Sequence, residues 1–208
     1  MTIEIWLAFV VATIILLMIP GPTILTVISY SLSHGTRARV PLVAAVALGD
    51  STALVLSLLG LGALLASSAA WFIAVKWIGG LYLLYLGIKL LRSGISPVQL
   101  TANGSQDSPW QVFANTWMVT SLNPKGIVFF VAFLPQFVDP AGAVAQQLWI
   151  LSVTFVCLAA INAMAYAIFA LSARRVLQSD GAQRGFNLTG GSLLSAAGLW
   201  ALTARQPG

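Results

Sequence analysis

The chain is 208 residues long, 59% hydrophobic and only 7% charged, with a mean hydropathy of +0.93. Soluble domains carry roughly 25% charged residues, so this composition excludes a water-facing surface and puts the chain in a lipid bilayer. The net charge of +5 is divided among short loops, which excludes a nucleic-acid footprint.

A hydrocarbon core about 30 Å thick takes about 20 apolar residues of helix. Six such runs are expected, roughly 5–33, 40–66, 71–91, 111–136, 146–172 and 186–204. All are expected to be α-helices, because lipid leaves no backbone group unpaired and the runs are too long for barrel strands. No Lys or Arg precedes the first run, which is also too long for a signal peptide. Pro20-Gly21-Pro22 interrupts it. The second run holds Asp50, in VALGDSTALVL, the single carboxylate expected inside a span. The third holds Lys76 near its outer end, where a lysine can snorkel to the interface. It also carries Tyr82 and Tyr85 one turn apart, and Gly79, Gly80 and Gly87. That small-residue face suits packing within one subunit or in a homodimer.

Residues 93–110, SGISPVQLTANGSQDSPW, are rich in Gly, Ser and Pro and read as a linker between 1–92 and 111–208. The fourth run opens its second part with NPKGIVFFVAFLPQF, placing Asn123, Pro124, Lys125 and Gln136 in otherwise apolar sequence. The fifth reads CLAAINAMAY, with the lone Cys157 and the polar Asn162; one cysteine allows no internal disulfide. In the sixth, Gly190, Gly191 and Gly198 each follow a glycine of the third run by 111 positions.

Arg37 and Arg39, Lys89 and Arg92, and Arg174, Arg175 and Arg184 fall in alternate connections, while those near 67–70 and 138–147 carry no positive charge. The positive-inside rule puts the basic loops in the cytoplasm and both termini outside. Three spans per half is an odd number, so related halves must be inserted with opposite orientation, as an inverted repeat.

The first and fourth runs are each broken by proline. Proline ends a helix and is favoured as the first residue of the next, behind a Gly or Asn cap. Gly21-Pro22 and Asn123-Pro124 fit that description and would start half-helices near the midplane, positive ends inward. Paired broken helices point to a transporter's binding site; proline kinks serving only packing are the plainer alternative. A charge at the bilayer centre costs about 2.5–3.5 kcal/mol on insertion scales, so Asp50 and Lys125 need a partner or a wet cavity. One reading is a structural ion pair between them. The other divides a zwitterion: Lys125 and the helix N-termini attract a carboxylate, and Asp50 receives an ammonium or a proton. Catalysis is disfavoured, since the single histidine, His34, lies in a basic loop. One His and one Cys give no metal site, and no cofactor is expected.

Taken together, PGPTILTVISYSLSHGTRARV, ALGD, KWIGGLYLLYLGIKLLRSG and LNPKGIVFFVAFLPQF resemble the LysE/RhtB superfamily of bacterial amino-acid exporters, in its homoserine/threonine branch. The resemblance implies an inner-membrane exporter with six helices in an inverted repeat, exchanging an amino acid of homoserine, threonine or leucine type against protons; the basic loops put its termini on the periplasmic side. Its motif positions fall on Pro20, Gly21, Pro22, Asp50, Asn123, Pro124, Lys125 and Gln136, with Lys76, Tyr82 and Asn162 as further cavity candidates. One departure bears on substrate. Many relatives carry an acidic residue in the fifth helix where this chain has Ala159, which implies a small neutral substrate rather than a cationic one. An exporter of another small solute or ion, or a non-transporting membrane subunit, remains the alternative.

Overall fold

The computed structural model describes residues 1–67, 77, 81, 84, 85, 87–89, 91, 92, 107–173 and 179–203. The described elements are all helical: α1 (Ile3–Met18), α2 (Pro22–His34), a 3-10 turn (Gly35–Ala38), α3 (Arg39–Ser67), α4 (Pro109–Ser121), α5 (Pro124–Val128), a π turn (Phe129–Phe133), a 3-10 turn (Leu134–Phe137), α6 (Val144–Ile168) and α7 (Asp180–Thr203).

Capping chemistry explains the boundaries. Thr2 caps α1 by accepting from the Ile5 N–H. Ser108 and Gln111 form a reciprocal capping box at the start of α4. Ile19 precedes Pro20 and is extended, because proline's ring excludes the helical conformation from the residue before it. Helix α2 then starts at Pro22 behind Gly21, and α5 at Pro124 behind Asn123, as the sequence predicts. The breaks are therefore new starts, and α4 and the segment Pro124–Phe137 diverge by 41° across theirs. Gly35 turns the chain out of α2 at φ 60°, where a side chain would be strained.

Two described helical runs are long and apolar enough to cross a membrane, Pro22–Gly60 and Val144–Ile168, and the bent pair Pro109–Ser121 with Pro124–Phe137 makes a third. At 16 residues α1 is too short to cross alone, and most of 71–91 lies outside the described residues. The described helices thus give two or three spans where six are expected.

Packing centres on α3 and α6. Gly49 lets α3 close on α4: a Cβ there would meet Thr120 Cβ at 2.6 Å and the Trp117 carbonyl at 3.1 Å. Gly87 meets Gly191 and Ser195 within the same chain, so this part of the small-residue face is used inside the subunit. A cluster of Phe9, Phe129, Phe130, Phe133, Phe137 and Phe155 joins α1, the π turn and α6, with Phe130 and Phe155 edge-to-face at 4.7 Å. Large apolar side chains such as Leu7, Val11, Leu56, Trp110, Trp149 and Leu188 face outward, as a bilayer solvent requires.

Candidate functional site

Asn123 organises the centre. Its Oδ1 accepts the Lys125 backbone N–H at 3.1 Å, capping α5, while its Nδ2 donates to Thr23 Oγ1 at 3.0 Å. Thr23 lies in the first turn of α2, so one buried amide clips the two half-helix starts together. Between them is a cavity of about 30 Å³ whose walls include Gly21, Thr23, Asp50, Asn123, Lys125 and Asn162.

Asp50 reaches this cavity from α3 and is the only carboxylate among its described walls. It sits over the first turn of α5, since a Cβ on Gly126 would lie 3.9 Å from Asp50 Oδ1. The positive end of that short helix offsets part of the burial of that charge.

Lys125 does not turn to Asp50. Its ammonium donates to the carbonyl of Ile19 at 2.8 Å and of Leu16 at 3.0 Å. Asn162 Nδ2 donates to Leu17 O at 3.3 Å, and the Tyr166 hydroxyl to Met18 O at 3.1 Å. The final carbonyls of a helix have no partner within it. Here each carbonyl from Leu16 to Ile19 accepts from a side chain of α5 or α6, and the cation among the donors stands at the helix's negative end. Both charges thus face one cavity, but the ion pair foreseen as a structural alternative is not the contact that Lys125 makes.

The other expected site residues divide clearly. Pro20, Pro22 and Pro124 set the backbone breaks without lining the cavity. Gln136 is also away from it, donating from Nε2 to Ala132 O at 2.8 Å. Lys76 and Tyr82 lie outside the described residues. Ala159 lines the cavity, so the position where relatives are expected to be acidic does face the site. Thr23 and Tyr166 were not foreseen. Tyr166 carried a usable signal, since it follows Asn162 by one helical turn on the same face. A larger groove of about 540 Å³ between α3 and α6 is walled by residues such as Leu54, Leu58, Leu148, Trp149 and Val156. It presents no charged group to recognise a zwitterion.

Residues 14–205 match the LysE type translocator family. A protein of Vibrio cholerae named an uncharacterized membrane protein is 33% identical over 205 residues, covering 99% of this chain and 100% of its own. The homoserine/homoserine lactone efflux protein of Salmonella typhimurium is 30% identical over 206 residues, with 99% and 100% covered. The leucine efflux protein of Enterobacter sp. is 28% identical over 161 residues, covering 77% of this chain and 76% of its own. No solved structure matches the chain.

Proposed function

The chain belongs to the LysE type translocator family of membrane transport proteins, and on that premise we propose that it is a secondary active exporter of small neutral amino acids. The observation that carries this reading is the convergence of two half-helix starts, one buried carboxylate and one half-buried lysine on a single cavity. An α-amino acid presents an ammonium and a carboxylate a few ångströms apart. The starts of α2 and α5, with Lys125, suit the carboxylate. Asp50 suits the ammonium, or the proton exchanged for it.

The relatives' names sharpen the substrate class. Homoserine and leucine share an α-amino acid core, whereas a lactone has its carboxylate tied up as an ester. The amino group is therefore the common element, and it directs attention to Asp50. With Ala159 facing the cavity, no second carboxylate is on hand for a cationic side chain, which favours neutral substrates.

A cavity of about 30 Å³ has room for water, which needs about 10–15 Å³, but not for an amino acid. On this reading the cavity must widen to admit substrate and open to each side in turn. We place the chain in the bacterial inner membrane as six spans in two inverted halves, basic loops in the cytoplasm and both termini periplasmic. The clip between Thr23 and Asn123, joining the corresponding breaks of the two halves, supports that symmetry.

The test is uptake of a panel of labelled amino acids by inside-out vesicles under an imposed pH gradient. Saturable, gradient-dependent accumulation of homoserine, threonine or leucine is expected. Accumulation of none of the panel, with folded protein in the vesicles, would overturn the amino-acid reading in favour of a different small solute.

A further inference from the structure

The end of α1 presents acceptors on one side of the cavity, and the donors that meet them differ in kind. Asn162 and Tyr166 hold the carbonyls of Leu17 and Met18 with neutral groups. Lys125 Nζ instead sits between the carbonyls of Leu16 and Ile19 as a full cation, in the cavity that Asp50 also faces. A negative helix end and a carboxylate converging on one small space make a place for a primary ammonium. The ammonium in it belongs to the chain. An amino acid carries a chemically equivalent group, with three N–H donors and one positive charge.

Resting on the amino-acid reading above, we propose that the Leu16 and Ile19 carbonyls together with Asp50 are the binding site for the substrate's ammonium, and that Lys125 occupies it as a tethered surrogate when no substrate is bound. Substrate entry then exchanges one ammonium for another. The displaced Lys125 turns to the substrate's carboxylate where there is one. In both states the negative end of α1 keeps a cation against it, which matters in an interior where unpaired charge is costly. The empty carrier also keeps a neutralised site, so it can close and reorient without cargo. Gly21 lies directly beside the lysine: a Cβ there would stand 3.5 Å from both Cε and Nζ of Lys125, in ordinary van der Waals contact. Asn162 and Tyr166 hold the neighbouring carbonyls, so the helix end stays in place while its cation changes.

The experiment replaces the tether with a free amine. Lys125→Ala removes the portion of side chain that n-propylammonium replaces. In the purified full-length variant, n-propylammonium is expected to raise the melting temperature by several degrees and saturably, as any ligand of the folded state does. Wild type, whose own ammonium fills the place, is expected to respond only at far higher amine concentration. Tetramethylammonium, a cation without N–H donors, is expected not to act on either. In the same variant n-propylammonium is expected to compete with labelled homoserine, raising its apparent Kd in proportion to amine concentration. If Lys125 is only a structural cap, the amine will do the opposite and restore homoserine binding, which overturns the proposal. No response to n-propylammonium, or an equal response to tetramethylammonium, overturns it too. Should Lys125→Ala not fold, Lys125→Met, which keeps the apolar stem and lacks only Nζ, makes the same comparison with the ammonium ion as the probe. If wild type binds no amino acid while the variant still takes n-propylammonium saturably, the amino-acid reading falls and the carbonyl site stands as an alkylammonium site.

Discussion

Asp50→Asn separates charge from shape at the site. The side chain keeps its size, and Lys125 keeps its carbonyl partners on α1, so the variant is expected to fold and insert. Accumulation against a gradient in inside-out vesicles is expected to fall to background. Ala159→Asp runs the other way: it puts a second carboxylate on a cavity wall and is expected to bring lysine into the range of transported substrates, measured as competition by lysine for homoserine uptake. Thr23→Val removes the acceptor of the buried Asn123 amide, leaving a donor unmet at a cost of about 1–3 kcal/mol. A clearly lowered melting temperature is expected. Asp50, Asn123 and Lys125 were legible in the sequence because lipid tolerates a charge or an Asn-Pro break within an apolar run only where the protein itself meets it. Thr23 was not. Hydroxyls in membrane helices usually bond back to the carbonyl one turn earlier, as Thr26 and Ser51 do, so residue type alone does not separate the clip from its neighbours. Gln136 lies away from the cavity: its Nε2 donates to the carbonyl one turn earlier, and its Oε1 is buried without a partner.

At the scale of elements, proline chemistry made the breaks readable to the residue, since Gly21-Pro22 and Asn123-Pro124 are each a cap and a first helical position. The π turn at Phe129–Phe133 was not readable. Pro135 removes the donor for the Val131 carbonyl within it, which marks a disturbance but not its form, and the phenylalanines of that segment pack on Phe9 and Phe155. Glycine roles also needed the structure. Gly49 and Gly60 both lie in α3, yet a Cβ at Gly49 would collide with Thr120, while one at Gly60 meets nothing within 4 Å. Gly49→Ala is therefore expected to push α3 from α4 and destabilise by about 1–3 kcal/mol, the usual cost of overpacking. Gly60→Ala is expected to be neutral or to stabilise by up to about 1 kcal/mol through helix propensity. Thermal melts of the two variants in the same detergent make the comparison.

For the whole molecule, the proposed alternating access asks what would hold the small cavity shut and still let it open. On one side the end of α1 is tied by polar donors from α5 and α6. On another, Phe155 lines the cavity and packs against Phe129 and Phe130. The two seals differ in character. Hydrogen bonds can be exchanged one for one with a substrate, whereas an aromatic cluster must part as a unit. Cutting back the cluster is therefore expected to weaken closure without removing recognition. Phe155→Leu keeps an apolar side chain beside Ala159 but loses the ring contacts. It is expected to leave the fold intact, to leave exchange of labelled for unlabelled homoserine near the wild-type rate, and to lower the steady-state accumulation ratio several-fold, because on the proposed secondary-transport reading a leaking carrier would dissipate its driving gradient. The check is to measure both quantities in the same vesicles. If exchange and accumulation fall together, the ring belongs to the binding surface and closure rests on the polar ties to α1. If neither changes, the aromatic cluster is not a seal, and the barrier lies elsewhere along the path.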